Sequence, residues 1–241
     1  MRKYFTLFAL ILFQSLEANE FDEFGLYSDK SAKPNEVKPE KTILPLQIAK
    51  GSRIAYVGNT LLDRAQHFGH FESFLQRHLP NHELVIRNFS WSADEVDIQP
   101  RPDNFADTDQ HLLHHKTDII FAAFGFNESF AGKEKIPEFK SRLRKYITQT
   151  RTRAYNGKKG PKIILISPTP NQNLDNIPAA DLNNERLAIF TSAMREVAES
   201  EKIGFVDVFS KPYPEGSTIN GVHLNKEGYR AFGTALFKGI F

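Results

Sequence analysis

Short apolar stretches alternate with longer amphipathic stretches from Gly51 to the end of the chain. Short apolar runs bounded by turn residues are typical of buried strands, and apolar positions three or four residues apart are typical of helices. The strands are predicted at 53–57, 83–89, 118–124, 162–167 and 204–209, and the helices at 61–79, 109–115, 136–155, 184–201 and from 225 onward. This alternation predicts an α/β protein with a three-layer, five-stranded, mostly parallel, doubly wound sheet.

The amino-terminal part of the chain has a different pattern. Arg2 and Lys3 precede the apolar run 4–13, and Ala18 is a small residue suited to cleavage. This order is typical of a secretory signal peptide, and the run is short for a membrane span. We therefore interpret residues 1–18 as a signal peptide, 19–50 as a linker or loosely packed lead-in, and 51–241 as one domain. The alternative is a retained membrane anchor. The expected location is outside the cytoplasm, periplasmic or secreted.

The composition argues against several classes of function. A net charge of +2 without a basic stripe argues against nucleic-acid binding, and beyond export nothing indicates a membrane partner. The absence of cysteine excludes disulfides, thiolate nucleophiles and cysteine-bound zinc. His111, His114 and His115 invite a metal interpretation, but no matching ligand pair is evident, so a solvated helix end is favoured. No metal or cofactor is expected.

Polar residues follow the predicted strands at the positions where chemistry is expected. Thr60 comes after the turn at Gly58, between the first strand and its helix, where a hydroxyl is either a nucleophile or a helix N-cap. Asn127 follows the third strand, and Asn220 and His223 precede the last helix. These ends converge at one edge of a parallel sheet, so they supply a hydroxyl, a base, an orienting group and oxyanion donors for acyl transfer.

Four blocks carry a family resemblance: Gly58-Asn59-Thr60-Leu61, Asn88-Phe89-Ser90-Trp91-Ser92-Ala93-Asp94, Gly125-Phe126-Asn127-Glu128 and Asn220-Gly221-Val222-His223. In this order they resemble Gly-Asp-Ser-Leu, Asn-x-x-x-Ser-Gly-Asp, Gly-x-Asn-Asp and Asp-x-x-His of the SGNH (GDSL-type) hydrolases. The likeness covers about 51–241. It is especially similar to a bacterial subgroup, often fused to haem-binding modules, that carries Gly-Asn-Thr-Leu and Asn-Gly-Val-His.

The resemblance implies an ester hydrolase on the flavodoxin-like fold of that family. Thr60 would be the nucleophile, His223 the general base and acid, and Asn220 the residue that orients the histidine. The backbone N–H groups of Thr60 and Ala93 and the side-chain amide of Asn127 would stabilise the oxyanion. The implied substrate is a small acyl ester, for example an O-acetyl group on a carbohydrate.

Three positions depart from the family pattern. Thr60 replaces serine, and its methyl group crowds the attacking oxygen. Ala93 replaces glycine, although its backbone N–H remains. Asn220 replaces aspartate, a change that costs about 10⁴ in kcat in a serine-protease triad, whereas papain-like enzymes use asparagine naturally. We therefore expect a weak or unusual hydrolase. The alternative is an inactive module with this fold that binds a carbohydrate or a protein.

The remaining candidates surround the predicted cleft, and each is also a secondary candidate for substrate binding: Asn59, Trp91, Asp94 and Glu128. Asn59 and Glu128 are interpreted as residues that brace loops. Asp94 is interpreted as structural, with a reserve role, shared with Glu95, as an acid that assists His223. Trp91 either stacks on a sugar ring or is a partly buried aromatic. His223 and Asn127 also have structural alternatives, as a loop-bound histidine and a turn residue.

Overall fold

The computed structural model describes residues 31–102 and 105–241. The predicted signal peptide, 1–18, and the first part of the predicted lead-in lie outside the described residues. Within the described ranges, no helix combines the length and the apolar character needed to cross a membrane.

The fold is a central parallel sheet between two layers of helices. The strands are β1 (Asn35–Glu36), β2 (Arg53–Gly58), β3 (Val85–Asn88), β4 (Ile119–Ala123), β5 (Arg153–Ala154), β6 (Lys162–Ile166) and β7 (Gly204–Val206). The helices are α1 (Thr60–Ala65), α2 (His70–His78), α3 (Thr108–His115), α4 (Ile136–Arg151), α5 (Ala179–Glu201) and α6 (Lys226–Ile240). Two short 3₁₀ helices, Glu128–Ala131 and Lys133–Lys135, lie between β4 and α4.

The main sheet has the strand order β3-β2-β4-β6-β7, and all neighbouring pairs are parallel. This is the doubly wound order, so the predicted fold class is confirmed. The order reverses between β2 and β4, and a crevice opens at that switch point, at the carboxyl ends of the strands. The loops after β2 and β4 carry Thr60 and Asn127 to this place.

The two faces of the sheet bury separate apolar cores because successive side chains of a strand point to opposite faces. Along β2, Ile54 and Tyr56 pack on the face that α1, α2 and α6 cover. Ala55 and Val57 pack on the other face, with the apolar side chains of α4 and α5. This arrangement explains why β2 and β4 are almost entirely apolar.

Several element boundaries differ from the predictions. The single helix predicted at 61–79 is two helices, because the chain turns at 66–69 and Gly69 has φ of 60°. The helix predicted to end at 155 stops at Arg151, where β5 pairs antiparallel with β1. The helix predicted from 184 already begins at Ala179. The strands predicted at 83–89 and 204–209 are shorter, Val85–Asn88 and Gly204–Val206.

The described part of the predicted lead-in, 31–50, is not loosely packed. The hydroxyl of Thr42 accepts a hydrogen bond from the backbone N–H of Ile163 at 3.0 Å. Leu46 is 1% exposed, and its N–H donates to the carbonyl of Ile240 at 2.6 Å. This segment therefore covers part of the apolar core beside the ends of β6 and α6, and the folded unit extends before residue 51.

Candidate active site

The turn between β2 and α1 is fixed by the close approach of two backbones. Gly58 has φ of 123°, and a Cβ at this position would lie 2.1 Å from the carbonyl oxygen of Ala123 on β4. The backbone N–H of Asn59 donates to the same oxygen at 3.1 Å. Only glycine fits here, and the contact holds the start of α1 directly above the switch point.

Asn59, and not Thr60, caps helix α1. Its side-chain oxygen accepts from the backbone N–H of Leu61 at 3.1 Å, and the residue is 3% exposed. The N-cap alternative for Thr60 is therefore wrong, and the bracing role expected of Asn59 takes the form of a helix cap. Thr60 is the first helical residue, and its hydroxyl is not used in capping.

The loop after β3 aims a backbone donor at Thr60. The N–H of Ala93 donates to the Thr60 hydroxyl oxygen at 3.3 Å. Ala93 has φ of 69°, in the left-handed region that glycine adopts more easily, at a cost of roughly 1–2 kcal/mol for alanine. The loop is tied to the β2–α1 turn because the N–H of Trp91 donates to the carbonyl of Gly58 at 2.9 Å. The predicted oxyanion donor thus lies beside the predicted nucleophile.

Asn127 and Glu128, which follow β4, hold this loop from the other side. The side-chain amide of Asn127 donates to the carbonyl of Asp94 at 3.0 Å, which uses one of its two hydrogens. Glu128 is 3% exposed, and its two carboxyl oxygens accept from the N–H groups of Val96 at 3.0 Å and Gly125 at 2.8 Å. Burial raises the pKa of Glu128 to about 7. Glu128 therefore links the end of β4 to the loop after β3.

The two reserve acids have partners other than His223. Asp94 is 1% exposed, and its carboxylate accepts from both terminal nitrogens of Arg101, at 2.8 and 2.6 Å. Glu95 forms a salt bridge with Arg142 at 2.8 Å. Neither carboxylate is available to the imidazole, so the reserve role proposed for this pair is not supported by the structure.

Trp91 lies on the outside of the same loop. Its side chain is 41% exposed, the guanidinium of Arg101 lies 4.8 Å from the ring centroid, and the ring of Phe105 meets it edge-on at 5.4 Å. Trp91 is therefore a partly exposed aromatic at the rim. It is not among the residues that line the cleft around Thr60 and His223.

On the opposite wall, Asn220 and His223 belong to the loop before α6. The side-chain oxygen of Asn220 accepts from the backbone N–H groups of His223 at 2.8 Å and Val222 at 3.2 Å. The side-chain nitrogen of Asn220 lies 3.0 Å from Nδ1 of His223, and the oxygen lies 3.2 Å from it. The amide nitrogen donates to Nδ1 when that atom is unprotonated, and the amide oxygen accepts from it when it carries the hydrogen; the nitrogen is the nearer atom, and the oxygen already faces two donors.

Which of these two contacts forms is coupled to the position of the imidazole proton. A neutral ring that accepts at Nδ1 has its hydrogen on Nε2, and Nε2 then cannot accept the proton of a nucleophile. The competent tautomer needs Nδ1–H donating to the Asn220 oxygen. An aspartate would present only acceptors at this position.

Thr60 and His223 line the same cleft, whose volume is about 440 Å³ including its open mouth. Its other walls include Ser167, Pro168 and Tyr229. No hydrogen bond joins the Thr60 hydroxyl to the His223 ring, both of which the structure describes. Burial, and then the positive charge of Arg64, lower the pKa of His223. The ring is thus neutral under ordinary conditions, and the protonated form is disfavoured.

The three histidines near α3 are not arranged as a metal site. His115 is 4% exposed, and its Nε2 lies 3.1 Å from the carbonyl oxygen of Ile54, so the interpretation of a solvated helix end is wrong for this residue. The ring of His111 stacks on Phe89, with centroids 5.3 Å apart. Across 31–102 and 105–241, no group of three or more metal-ligating side chains is arranged to hold an ion.

Two residues beside the site were missed by the sequence reasoning. Tyr229, on α6, lines the cleft and donates from its hydroxyl to the carbonyl of Leu61 at 2.9 Å. Arg64 lies next to that hydroxyl and near His223. The spacing of Arg64, four residues after Thr60, placed it on the same face of α1 as the hydroxyl and was the signal that could have found it.

A hydroxyl at the switch point of a doubly wound sheet, a backbone donor beside it and a histidine across the cleft define the class of α/β acyl hydrolases. The model of the GDSL-like lipase/acylhydrolase family matches residues 51–231, and the chain belongs to this family. The SGNH resemblance is thereby confirmed.

Solved structures of several esterases share the fold. An acetylxylan esterase from Geobacillus stearothermophilus has a TM-score of 0.59 and 18% identity, over 81% of this chain and 96% of its own. The aryl esterase of M. smegmatis has a TM-score of 0.59 and 16% identity, over 78% and 97%. A carbohydrate acetylesterase from Sinorhizobium meliloti has the same score, identity and coverage. No match was found among curated proteins.

Proposed function

We propose that the protein is an exported ester hydrolase that removes a small acyl group, such as acetyl, from a carbohydrate. The observation that carries the proposal is the 3.3 Å hydrogen bond from the Ala93 N–H to the Thr60 hydroxyl oxygen, with His223 on the same cleft. A backbone donor beside a hydroxyl is what acyl transfer needs, because negative charge develops on the neighbouring carbonyl oxygen.

In the proposed reaction, the Thr60 oxygen attacks the acyl carbon while its proton passes to Nε2 of His223. The N–H groups of Thr60 and Ala93, and the second amide hydrogen of Asn127, stabilise the oxyanion. The carbon–alcohol bond then breaks, and the leaving alcohol takes the proton from Nε2. Water releases the acyl group from Thr60 by the same steps, and the hydroxyl is restored.

The limiting feature is the tautomer of His223. Only rings with the proton on Nδ1 can begin the reaction, and the Asn220 amide favours the other form. The turnover we propose is therefore slow compared with that of a triad containing aspartate, and it requires no metal or cofactor. The charged residues 2–3, the apolar run 4–13 and Ala18 support export.

The test uses the mature protein from Asn19 onward, assayed against short-chain aryl esters and acetylated oligosaccharides. Thr60→Ala and His223→Ala should each abolish turnover and leave the melting temperature nearly unchanged. Thr60→Ser should turn over at least as fast as the natural chain, because the crowding methyl group is gone. Equal turnover in the natural chain and in His223→Ala would contradict the proposal.

The second candidate function is a carbohydrate-binding module, and the observation that favours it is the same contact of the Asn220 amide nitrogen, which disfavours the tautomer of His223 that acts as a base. If no ester in the panel is hydrolysed, titration calorimetry with non-acetylated and acetylated oligosaccharides tests the binding module. Measurable binding would support it, and no binding would contradict both candidate functions.

A further inference from the structure

Helix α6 carries a groove that the proposed reaction does not use. The groove lies between α6 and the loop 211–214, and its volume is about 1320 Å³ including its open mouth. Much of its lining is apolar and comes from Pro212, Tyr213, Pro214, Ala231 and Ala235. The lining residues of α6 run from Glu227 to Gly239, which is about 18 Å along the helix axis. The groove is therefore long enough for several units of a chain molecule.

The groove carries more positive than negative charge. Lys211 lies on the loop, Arg230 and Lys238 lie on the helix, and the acid among the lining residues is Glu227. The Glu227 carboxylate is 3.9 Å from the Arg230 guanidinium and both side chains are largely exposed, so this contact is weak. Within 31–102 and 105–241, neither lysine forms an ion pair. The groove therefore attracts an anion.

The positive charge continues on the other side of Lys238. A second depression, of about 760 Å³ including its open mouth, lies between α2 and α6 and shares Thr234 and Lys238 with the groove. It adds the guanidinium of Arg77 and the rings of Phe74 and Phe237, whose centroids are 5.8 Å apart. The groove and this depression thus form one basic surface across α6, with apolar and aromatic side chains between the cations.

The spacing and the chemistry of these groups select the kind of anion. Arg230 and Lys238 are eight residues apart, about 12 Å along the helix axis, so charges spaced along a chain suit them better than one small anion. Arginine binds a carboxylate through two parallel hydrogen bonds, and aromatic side chains offer apolar surface to the faces of sugar rings. Phe74 and Phe237 are half-buried against each other, unlike the open platforms on which nucleic-acid bases stack. A chain of sugars with repeated carboxylates fits these groups best.

We propose that the groove and the adjoining depression form a binding site for an acidic polysaccharide, a chain of uronic acids, and hold that chain beside the catalytic cleft. Tyr229 lines the cleft and the next residue, Arg230, lines the groove, so helix α6 belongs to both. The binding site stands apart from the hydrolase activity, and its role in presenting acylated sugars to Thr60 rests on the proposed function.

Titration calorimetry on the mature protein tests the binding site without any catalysis. The probes are an oligosaccharide of uronic acids without acyl groups and the same oligosaccharide after reduction of its carboxyl groups to primary alcohols. The natural chain should bind the acidic form about tenfold more tightly, or better. The double variant Arg230→Gln, Lys238→Gln should bind both forms alike. Arg230→Lys alone should keep part of the preference, because lysine retains the charge but not the bidentate geometry.

The matched control is the double variant Lys145→Gln, Lys158→Gln, which removes two exposed lysines that line neither cavity. It should bind like the natural chain, and the melting temperatures of both double variants separate a loss of binding from a loss of folding. Equal affinity of the natural chain for the two probes would overturn the inference, and so would an equal loss in the control. Tighter binding of single-stranded DNA or of poly-glutamate with the same number of charges would overturn it in favour of a nucleic acid or an acidic protein.

Kinetics then tests whether the site serves the reaction. For an O-acetylated chain of uronic acids, Arg230→Gln, Lys238→Gln should raise KM by about tenfold and leave kcat unchanged, because these contacts are the same before and in the transition state. Its kcat/KM for a short aryl ester, which is too small to reach the groove, should equal that of the natural chain. An unchanged KM would overturn the presenting role. If no ester is hydrolysed by either chain, the proposed function fails, and the calorimetry alone decides on the binding site.

Discussion

The two walls of the cleft are built in different ways. On the oxyanion wall, hydrogen bonds join the β2–α1 turn to β4 through the N–H of Asn59, and join the residues after β4 to the loop after β3 through Glu128. The Asp94–Arg101 pair braces the loop after β3. On the histidine wall, the orienting residue, Asn220, is exposed and neutral, and it contacts the ring with its nitrogen as the nearer atom.

The difference shows which substitutions a hydrolase site tolerates. The oxyanion wall works mainly through backbone N–H groups, which survive the exchange of glycine for alanine at position 93. The histidine wall works through a side-chain atom that must accept a hydrogen bond. One change from oxygen to nitrogen there alters the position of a proton, so a single substitution reaches the chemistry directly.

The largest effect should come from repairing the histidine wall. Asn220→Asp replaces the amide nitrogen at Nδ1 with an acceptor oxygen, which favours Nδ1–H and frees Nε2 as a base. From the cost of the reverse change in a serine-protease triad, kcat should rise by roughly 10³–10⁴. Steady-state kinetics on the acetylated panel check this. Asn220→Ala is the control, and an equal rate for Asn220→Asp and the natural chain would show that the tautomer is not limiting.

The oxyanion wall should be broken by Gly58→Ala. The new Cβ would lie 2.1 Å from the carbonyl oxygen of Ala123, at φ of 123°. Since neither backbone can move without separating β2 from β4, we expect a loss of about 4 kcal/mol in the free energy of unfolding. Chemical denaturation measures it. Gly157→Ala, at φ of 75° with no atom within 4 Å, should lose only about 1 kcal/mol.

A smaller effect on the same wall should depend on pH through Glu128. The pKa of Glu128 in the folded chain, about 7, lies above its ordinary value of 4.5, so the native state binds the proton more tightly than the unfolded chain does. The stabilising contribution is complete below pH 4.5 and is lost as the pH rises through 7, by on the order of 3 kcal/mol. The free energy of unfolding, measured between pH 4.5 and 8, should therefore decrease more steeply with pH for the natural chain than for Glu128→Gln. The same pH dependence of the free energy of unfolding in both chains would contradict a contribution from protonation of Glu128.

The smallest expected effect concerns the acid limb of the rate profile. Burial and the charge of Arg64 lower the pKa of His223 below 6.5, and the ring must be neutral to accept a proton. kcat/KM should therefore remain high below pH 6.5 and fall only when the pH drops through the lowered pKa. In Arg64→Gln the limb should move to higher pH. A limb that does not move in this variant would show that Arg64 exerts no charge effect on the imidazole.

Much of this architecture could be predicted from the sequence. The apolar runs of β2, β4 and β6 are strong signals because both faces of these strands are buried, and the order of the loops followed from them. The packing of Thr42 and Leu46 could not be predicted, since they stand in a polar segment without periodicity. The resemblance identified Asn220 as a departure, but which of its amide atoms faces His223 depends on the two backbone N–H groups that bind its oxygen. The pairing of Asp94 with Arg101 is likewise a matter of distance.

The junction of Asn220 and Gly221 has a consequence for chemical ageing. Glycine leaves its backbone nitrogen unhindered, and attack of that nitrogen on the Asn220 side-chain carbonyl carbon closes a cyclic imide and releases ammonia. Water then opens the imide to aspartate or isoaspartate. The hydrogen bond from the Gly221 N–H to the Thr218 hydroxyl, 3.1 Å, restrains this attack in the folded chain. The conversion of Asn220 is therefore slow and accumulates only during storage. If aspartate raises kcat by about 10³, one altered chain in roughly a thousand would match the rate of all the others. Activity that grows as a preparation stands would report the age of the sample, and a mass spectrum of the 220–221 peptide should accompany every rate.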